Sequence, residues 1–167
     1  MKKLLYIEQF LPQKLYNQFS SLAPVLKYHD TNPAKRSFCS EDLKILSPFL
    51  YESFIDYVNE ALNVEIIDSR LFFYKRNNTI FNPHVDRCQL NLLIYLQGEK
   101  VDMDNGTFFM NDEKMALRSA NIANSAILFD SKIKHGSIQA LYKDEEKTGW
   151  RYSLNCFINS YKSSGWI

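Results

Sequence analysis

From Val64 to Tyr161 the chain repeats one texture. Short runs rich in β-branched and aromatic residues, VEIIDSRLFFYKR, QLNLLIYLQ, GTFFMN, SAILFD, HGSIQAL and RYSLNCFINSY, alternate with clusters of Asn, Asp, Gly and Ser. Such runs suit a pleated, half-buried surface, and the clusters between them suit turns, so each run is expected to be a strand. FNPHVD is expected to add one more. This many short strands in one stretch demands an antiparallel sandwich or barrel.

The residues before Val64 read differently. KLLYIEQFL looks like a first strand; it mimics the start of a signal peptide, but Glu8 and Gln9 interrupt the apolar stretch too early. PQKLYNQFSSL has Pro12 near a helix start and Leu15, Phe19 and Leu22 at helical spacing. After TNPAKRSFC, Ser40 with Glu41 and Asp42 is expected to cap a helix and supply its acidic first turn, and Pro48 to divide that stretch so that PFLYESFIDYVNEAL forms its own helix. The expected class is therefore α+β: a jelly-roll or cupin-like barrel over 64–162, with the helices of a mixed preamble over 1–63 packed on one outer face. At 167 residues and 46% hydrophobic, the chain suits a single domain over 1–167.

The chemistry-bearing residues lie in the strand-rich part. His84 and Asp86 form an H-x-D, and on a strand they point to one face while Val85 points to the other. Alone the pair is either half of a metal site or a coincidence. His135, at the start of a later strand, supplies a third ligand of the right type. Two imidazoles and one carboxylate on one side of a metal leave opposite positions open, the arrangement used by non-haem Fe(II) oxygenases. In RYSLNCF, Arg151 and Ser153 share a strand face opposite to Tyr152 and Leu154. An arginine pointing inward requires an anion, and its planar fork suits a carboxylate. Asn91 and Tyr95 fall on one face of their strand, as pocket-lining residues would. His29, in LKYHD, is expected to be an ordinary surface or packing residue, and Cys39, Cys88 and Cys156, with no CxxC spacing, to be reduced thiols of a cytoplasmic protein.

From Tyr74 to Tyr161 the order H-x-D, a YL strand, a Gly-containing strand, a distal histidine and R-x-S resembles the 2-oxoglutarate and Fe(II)-dependent dioxygenases, in particular the prolyl-4-hydroxylase-like branch. The resemblance implies a double-stranded β-helix in which His84, Asp86 and His135 bind iron. It also implies that Arg151, assisted by Ser153, holds the distal carboxylate of 2-oxoglutarate. Tyr74, ten residues before His84, and Tyr95 match positions near that co-substrate. The implied reaction consumes O2 and 2-oxoglutarate, releases succinate and CO2, and hydroxylates a C–H bond, with no catalytic residue beyond the metal ligands. Three departures stand out: KRNN follows Tyr74 where relatives carry a glycine turn, Gly106 stands where a Gly pair is common, and the 138–150 loop is long.

The implied substrate is a peptidyl or free amino-acid side chain, proline-like first, or another small molecule. Nucleic acid is not expected: the net charge is +1 with no basic stretch, and Phe157 stands where nucleic-acid demethylases of this superfamily carry a second arginine. No run is long enough to be expected to span a membrane. Two other readings remain open, a non-enzymatic metal-binding cupin, which leaves Arg151 and Ser153 without a purpose, and a structural β-sandwich, which would tolerate loss of His84.

Overall fold

The computed structural model describes residues 3–32, 37–77, 82–99, 106–137 and 149–163. It is mostly antiparallel β-sheet with a few helices. Strand β1 (Leu4–Ile7) leads into helix α1 (Gln13–Leu22), whose N-cap is Pro12 and whose Leu15 and Phe19 are buried one turn apart. A short 3-10 turn carrying Pro24 ends it. Two short strands follow, β2 (His29–Asn32) and β3 (Ser37–Cys39), then helices α2 (Leu43–Leu46) and α3 (Pro48–Leu62). Pro48 sits in the first turn of α3, where its missing N–H costs nothing, and Asn63 closes the helix in the left-handed conformation at φ 51°.

The cap expected of Ser40 is made by Asp42 instead, whose carboxylate accepts from the Lys44 N–H at 3.0 Å. Ser40 is engaged elsewhere. Its N–H donates to the Phe73 carbonyl at 2.9 Å and its hydroxyl accepts from the Phe73 N–H at 3.0 Å, so it fastens the chain to the next strand.

That strand, β4 (Val64–Arg76), opens the β-rich half, followed by β5 (Leu90–Tyr95), β6 (Thr107–Asn111), β7 (Lys114–Arg118), β8 (Ala126–Asp130), β9 (His135–Ser137) and β10 (Arg151–Ser163). Seven strands form a large sheet in the order β1-β8-β5-β10-β4-β3-β2, and three form a smaller one, β7-β6-β9. Every pairing is antiparallel.

The large sheet has two different faces. Leu92, Ile94, Leu154, Cys156 and Ile158 pack toward the helices, where Phe19 meets Phe54 and Phe73 edge-on at 5.7 and 5.8 Å. The other face is shared with the small sheet and holds a second, smaller cluster of Leu93, Tyr95, Phe109, Ile127 and Phe129.

The strand expected at FNPHVD does not form, Phe81 itself lying outside the described residues. Pro83 removes a ladder donor, and what remains is one isolated bridge in which His84 and His135 exchange backbone hydrogen bonds at 3.0 and 2.9 Å. Strand β7 (KMALR) is not among the runs whose residue pattern indicates a strand. It pairs on one side only and buries none of its residues, so no apolar periodicity was required of it. The expected strand HGSIQAL is described over His135–Ser137, and IQAL lies outside the described residues. No described helix is long and apolar enough to cross a membrane.

Candidate metal centre and its pocket

The bridge between His84 and His135 brings two ring systems together with centroids 4.5 Å apart, and Asp86 closes the group. One ligand atom from each of the three residues lies within 4.8 Å of the others. Both histidines are oriented by their own neighbours. Nδ1 of His84 donates to the Asn82 carbonyl at 2.9 Å, and Nδ1 of His135 to the Ile133 carbonyl at 3.0 Å. A carbonyl only accepts, so each Nδ1 donates its proton there, and each Nε2 faces Asp86, at 3.9 and 3.3 Å.

Asp86 itself accepts a hydrogen bond from Nδ2 of Asn91. Burial would raise its pKa, but the hydrogen bond and charge of His135, followed by His84 and Asn91, outweigh this and hold it below the ordinary carboxylate value. The other amide atom of Asn91, its Oδ1, is buried and has no hydrogen-bond partner among the described residues. Asn91 is thus placed to steer the carboxylate, at the expense of a stranded acceptor. Two imidazole nitrogens and a carboxylate grouped within 4.8 Å form a donor set of the type that fits Fe(II) with coordination positions to spare. His84 is exposed, whereas His135 is buried against Phe129, ring to ring at 4.7 Å.

His84, Asp86 and His135 line a cavity of about 230 Å³, together with Tyr74, Arg76, Thr107, Ser137 and Asn155 among others. Arg151 is only 4% exposed and on the inner face, as its alternation on β10 requires. Its guanidinium donates to the Gly106 carbonyl and the Ser137 hydroxyl, both at 3.4 Å, and Ser137 is part of the cavity wall. Ser153, beside it, donates to Oδ1 of Asn155 at 2.9 Å. The single glycine of NGTFF has a steric role: a Cβ on Gly106 would lie 1.7 Å from the Ser119 carbonyl oxygen.

The two tyrosines differ in setting. Tyr74 lines the cavity, and burial, then the neighbouring Cys39, raise its pKa far above the phenol range, so its hydroxyl is neutral. Tyr95 is fully buried, with its hydroxyl donating to Thr107 at 2.8 Å and paired with the Ser119 hydroxyl at 2.8 Å. His29 is exposed on β2 and has no part in the cavity. Sequence reasoning did not single out Arg76, the second arginine at this pocket, or Thr107 and Ser137. For Arg76 a signal existed: on β4 it shares a face with Tyr74, so an inward Tyr74 implies an inward Arg76.

No protein-family model matches the chain, and no curated protein matches it in sequence. Solved structures do match in fold. A prolyl-4-hydroxylase from Pseudomonas putida superposes with a TM-score of 0.70 at 14% identity, over 99% of this chain and 95% of that one. HygX from Streptomyces hygroscopicus, solved with nickel and 2-oxoglutarate bound, gives 0.68 at 12% identity over 99% and 85%. A Trichoplax adhaerens prolyl hydroxylase, in complex with a hypoxia-inducible-factor oxygen-degradation-domain peptide, gives 0.63 at 17% over 93% and 83%. At 12–17% identity the likeness to these proteins is one of fold.

Proposed function

We propose that the chain is an Fe(II)- and 2-oxoglutarate-dependent oxygenase, a single domain over 1–167 whose two sheets make the jelly-roll, or double-stranded β-helix, of its structural neighbours. One observation carries the reading: the donor atoms of His84, Asp86 and His135 converge within 4.8 Å on the lining of a cavity, and a buried arginine, Arg151, is bonded to Ser137 of the same lining. A fold shared with metal- and 2-oxoglutarate-binding proteins supports it.

In this reading His84, Asp86 and His135 hold Fe(II), which supplies dioxygen activation coupled to decarboxylation of 2-oxoglutarate to succinate and CO2. The protein does the rest. Backbone carbonyls orient both imidazoles and Asn91 holds the carboxylate, so the three groups that would hold the metal stay turned toward one another. The distal carboxylate of the co-substrate would be held at the end of the cavity behind which Arg151 and Ser153 lie, Arg151 acting through the Ser137 wall it is bonded to, with Tyr74 on the lining and Tyr95, tied to Thr107, behind it. Phe129 and Phe109 keep water from the inner side of His135.

The substrate we favour is a peptidyl or free amino-acid side chain, proline-like first, because two of the neighbours are prolyl hydroxylases, one of them with a peptide bound. The test is anaerobic titration of the protein with Fe(II) and then 2-oxoglutarate, read by the visible charge-transfer band of the chelated pair. The wild type should show the band, and Arg151→Gln should raise the 2-oxoglutarate concentration needed for it by about tenfold or more. Iron binding without a band would leave a non-enzymatic metal-binding protein.

A further inference from the structure

Arg76 is the part of the pocket that the reading above leaves without a role. It lies on β4 directly opposite Arg151 of β10, and directly paired residues of antiparallel strands share a face. Both guanidiniums therefore point into the space between the sheets. Arg76 lines the cavity, whereas Arg151 stands behind it, bonded to Gly106 and Ser137. The orientation of Arg76 is set on two sides: its Nε donates to the Ser37 hydroxyl at 3.3 Å, and its guanidinium stacks 4.6 Å above the Tyr74 ring.

Its position along the pocket is also fixed. On β10 the inward residues run Phe157, Asn155, Ser153, Arg151, and Phe157 pairs with Asn91, which holds the metal-site carboxylate. Arg151 and Arg76 thus lie at the end away from the metal. A linear dicarboxylate anchored at the metal by its keto-acid end would direct its other carboxylate there. Two guanidiniums side by side on paired strands suit a carboxylate, which can give each of them a charge-assisted contact.

We propose that Arg76 is the second arm of the co-substrate site, sharing the distal carboxylate of 2-oxoglutarate with Arg151 and forming the arm in direct contact with the cavity. The inference rests on the reading of the pocket as a 2-oxoglutarate site. It selects for a dicarboxylate over a monocarboxylic 2-oxo acid of the same length.

The test measures dissociation constants under anaerobic conditions for Fe(II), for 2-oxoglutarate and for 2-oxovalerate, which has the same chain without the distal carboxylate. The proteins are the wild type, Arg76→Gln and Arg76→Lys. Fe(II) affinity, the control for an intact site, should be unchanged. Arg76→Gln should weaken 2-oxoglutarate by about tenfold or more, while 2-oxovalerate binding stays within about twofold. Arg76→Lys, which keeps the charge and loses the fork, should weaken 2-oxoglutarate by a smaller factor and serves if the glutamine variant fails to hold Fe(II). A 2-oxoglutarate affinity that does not respond to either substitution, or equal weakening of both ligands, overturns the role of Arg76. A wild type that binds Fe(II) but no 2-oxoglutarate overturns the underlying reading instead.

Discussion

The two faces of the β4–β10–β5 strands share one backbone and carry different chemistry. Toward the helices, β10 presents Tyr152, Leu154, Cys156 and Ile158, all in the main core; toward the small sheet it presents Arg151, Ser153, Asn155 and Phe157. β5 repeats the contrast, with Leu90, Leu92 and Ile94 on one side and Asn91, Leu93 and Tyr95 on the other. The helix-facing side is nearly free of polar groups and supplies the burial that makes the sheet rigid. The inner side contains charges, hydroxyls and a stranded amide oxygen, each of which lowers stability in exchange for a site. Stability and function are therefore separable by residue parity along the same strand.

Three substitutions probe that separation. His84→Ala, on the exposed edge of the inner face, should abolish Fe(II) binding measured by calorimetry while leaving urea-denaturation stability within about 0.5 kcal/mol. Phe73→Ala, on the helix side, should do the reverse. It removes a fully buried ring packed on Phe19 and should cost about 3–5 kcal/mol of stability, with Fe(II) affinity of the folded protein unchanged. Fe(II) affinity that falls along with stability would show the two faces to be coupled. Asn91→Leu gives the smallest and most discriminating effect. It frees Asp86 and should weaken Fe(II) binding by about 10–100-fold, yet metal-free stability should be no lower, because the stranded Oδ1 disappears with it. A large loss of stability would mean that Asn91 supports the fold rather than the carboxylate.

Elements with a buried face were legible before the structure. α3 begins at Pro48 and β4 ends at Arg76 as the residue pattern indicates, since a helix burying Tyr51, Phe54, Val58 and Leu62, or a strand burying Leu71 and Phe73, must write its period into the sequence. β7 buries nothing and left no such mark. Asp42 caps the helix two residues beyond the expected Ser40 because the two are equally good caps in one dimension, and only the approach of Phe73 takes Ser40 away. Around the site, the donor types were readable and their support was not. H-x-D was expected to share a strand face, but Pro83 prevents a strand, and the same convergence arises from a single bridge to His135.

The sequence by itself determined the types of the candidate metal-holding residues, their order along the chain and the inward parity of Arg151 and Asn91. These are local properties, set by side-chain chemistry and by the two-residue period of a strand. Tertiary structure alone decided that Asn91 grips Asp86, that Tyr95 bonds to Thr107 and Ser119, and that Arg76 comes to lie opposite Arg151. Those contacts depend on the register between strands far apart in sequence. Register follows from packing the whole sheet against its helices, which no single stretch of residues encodes.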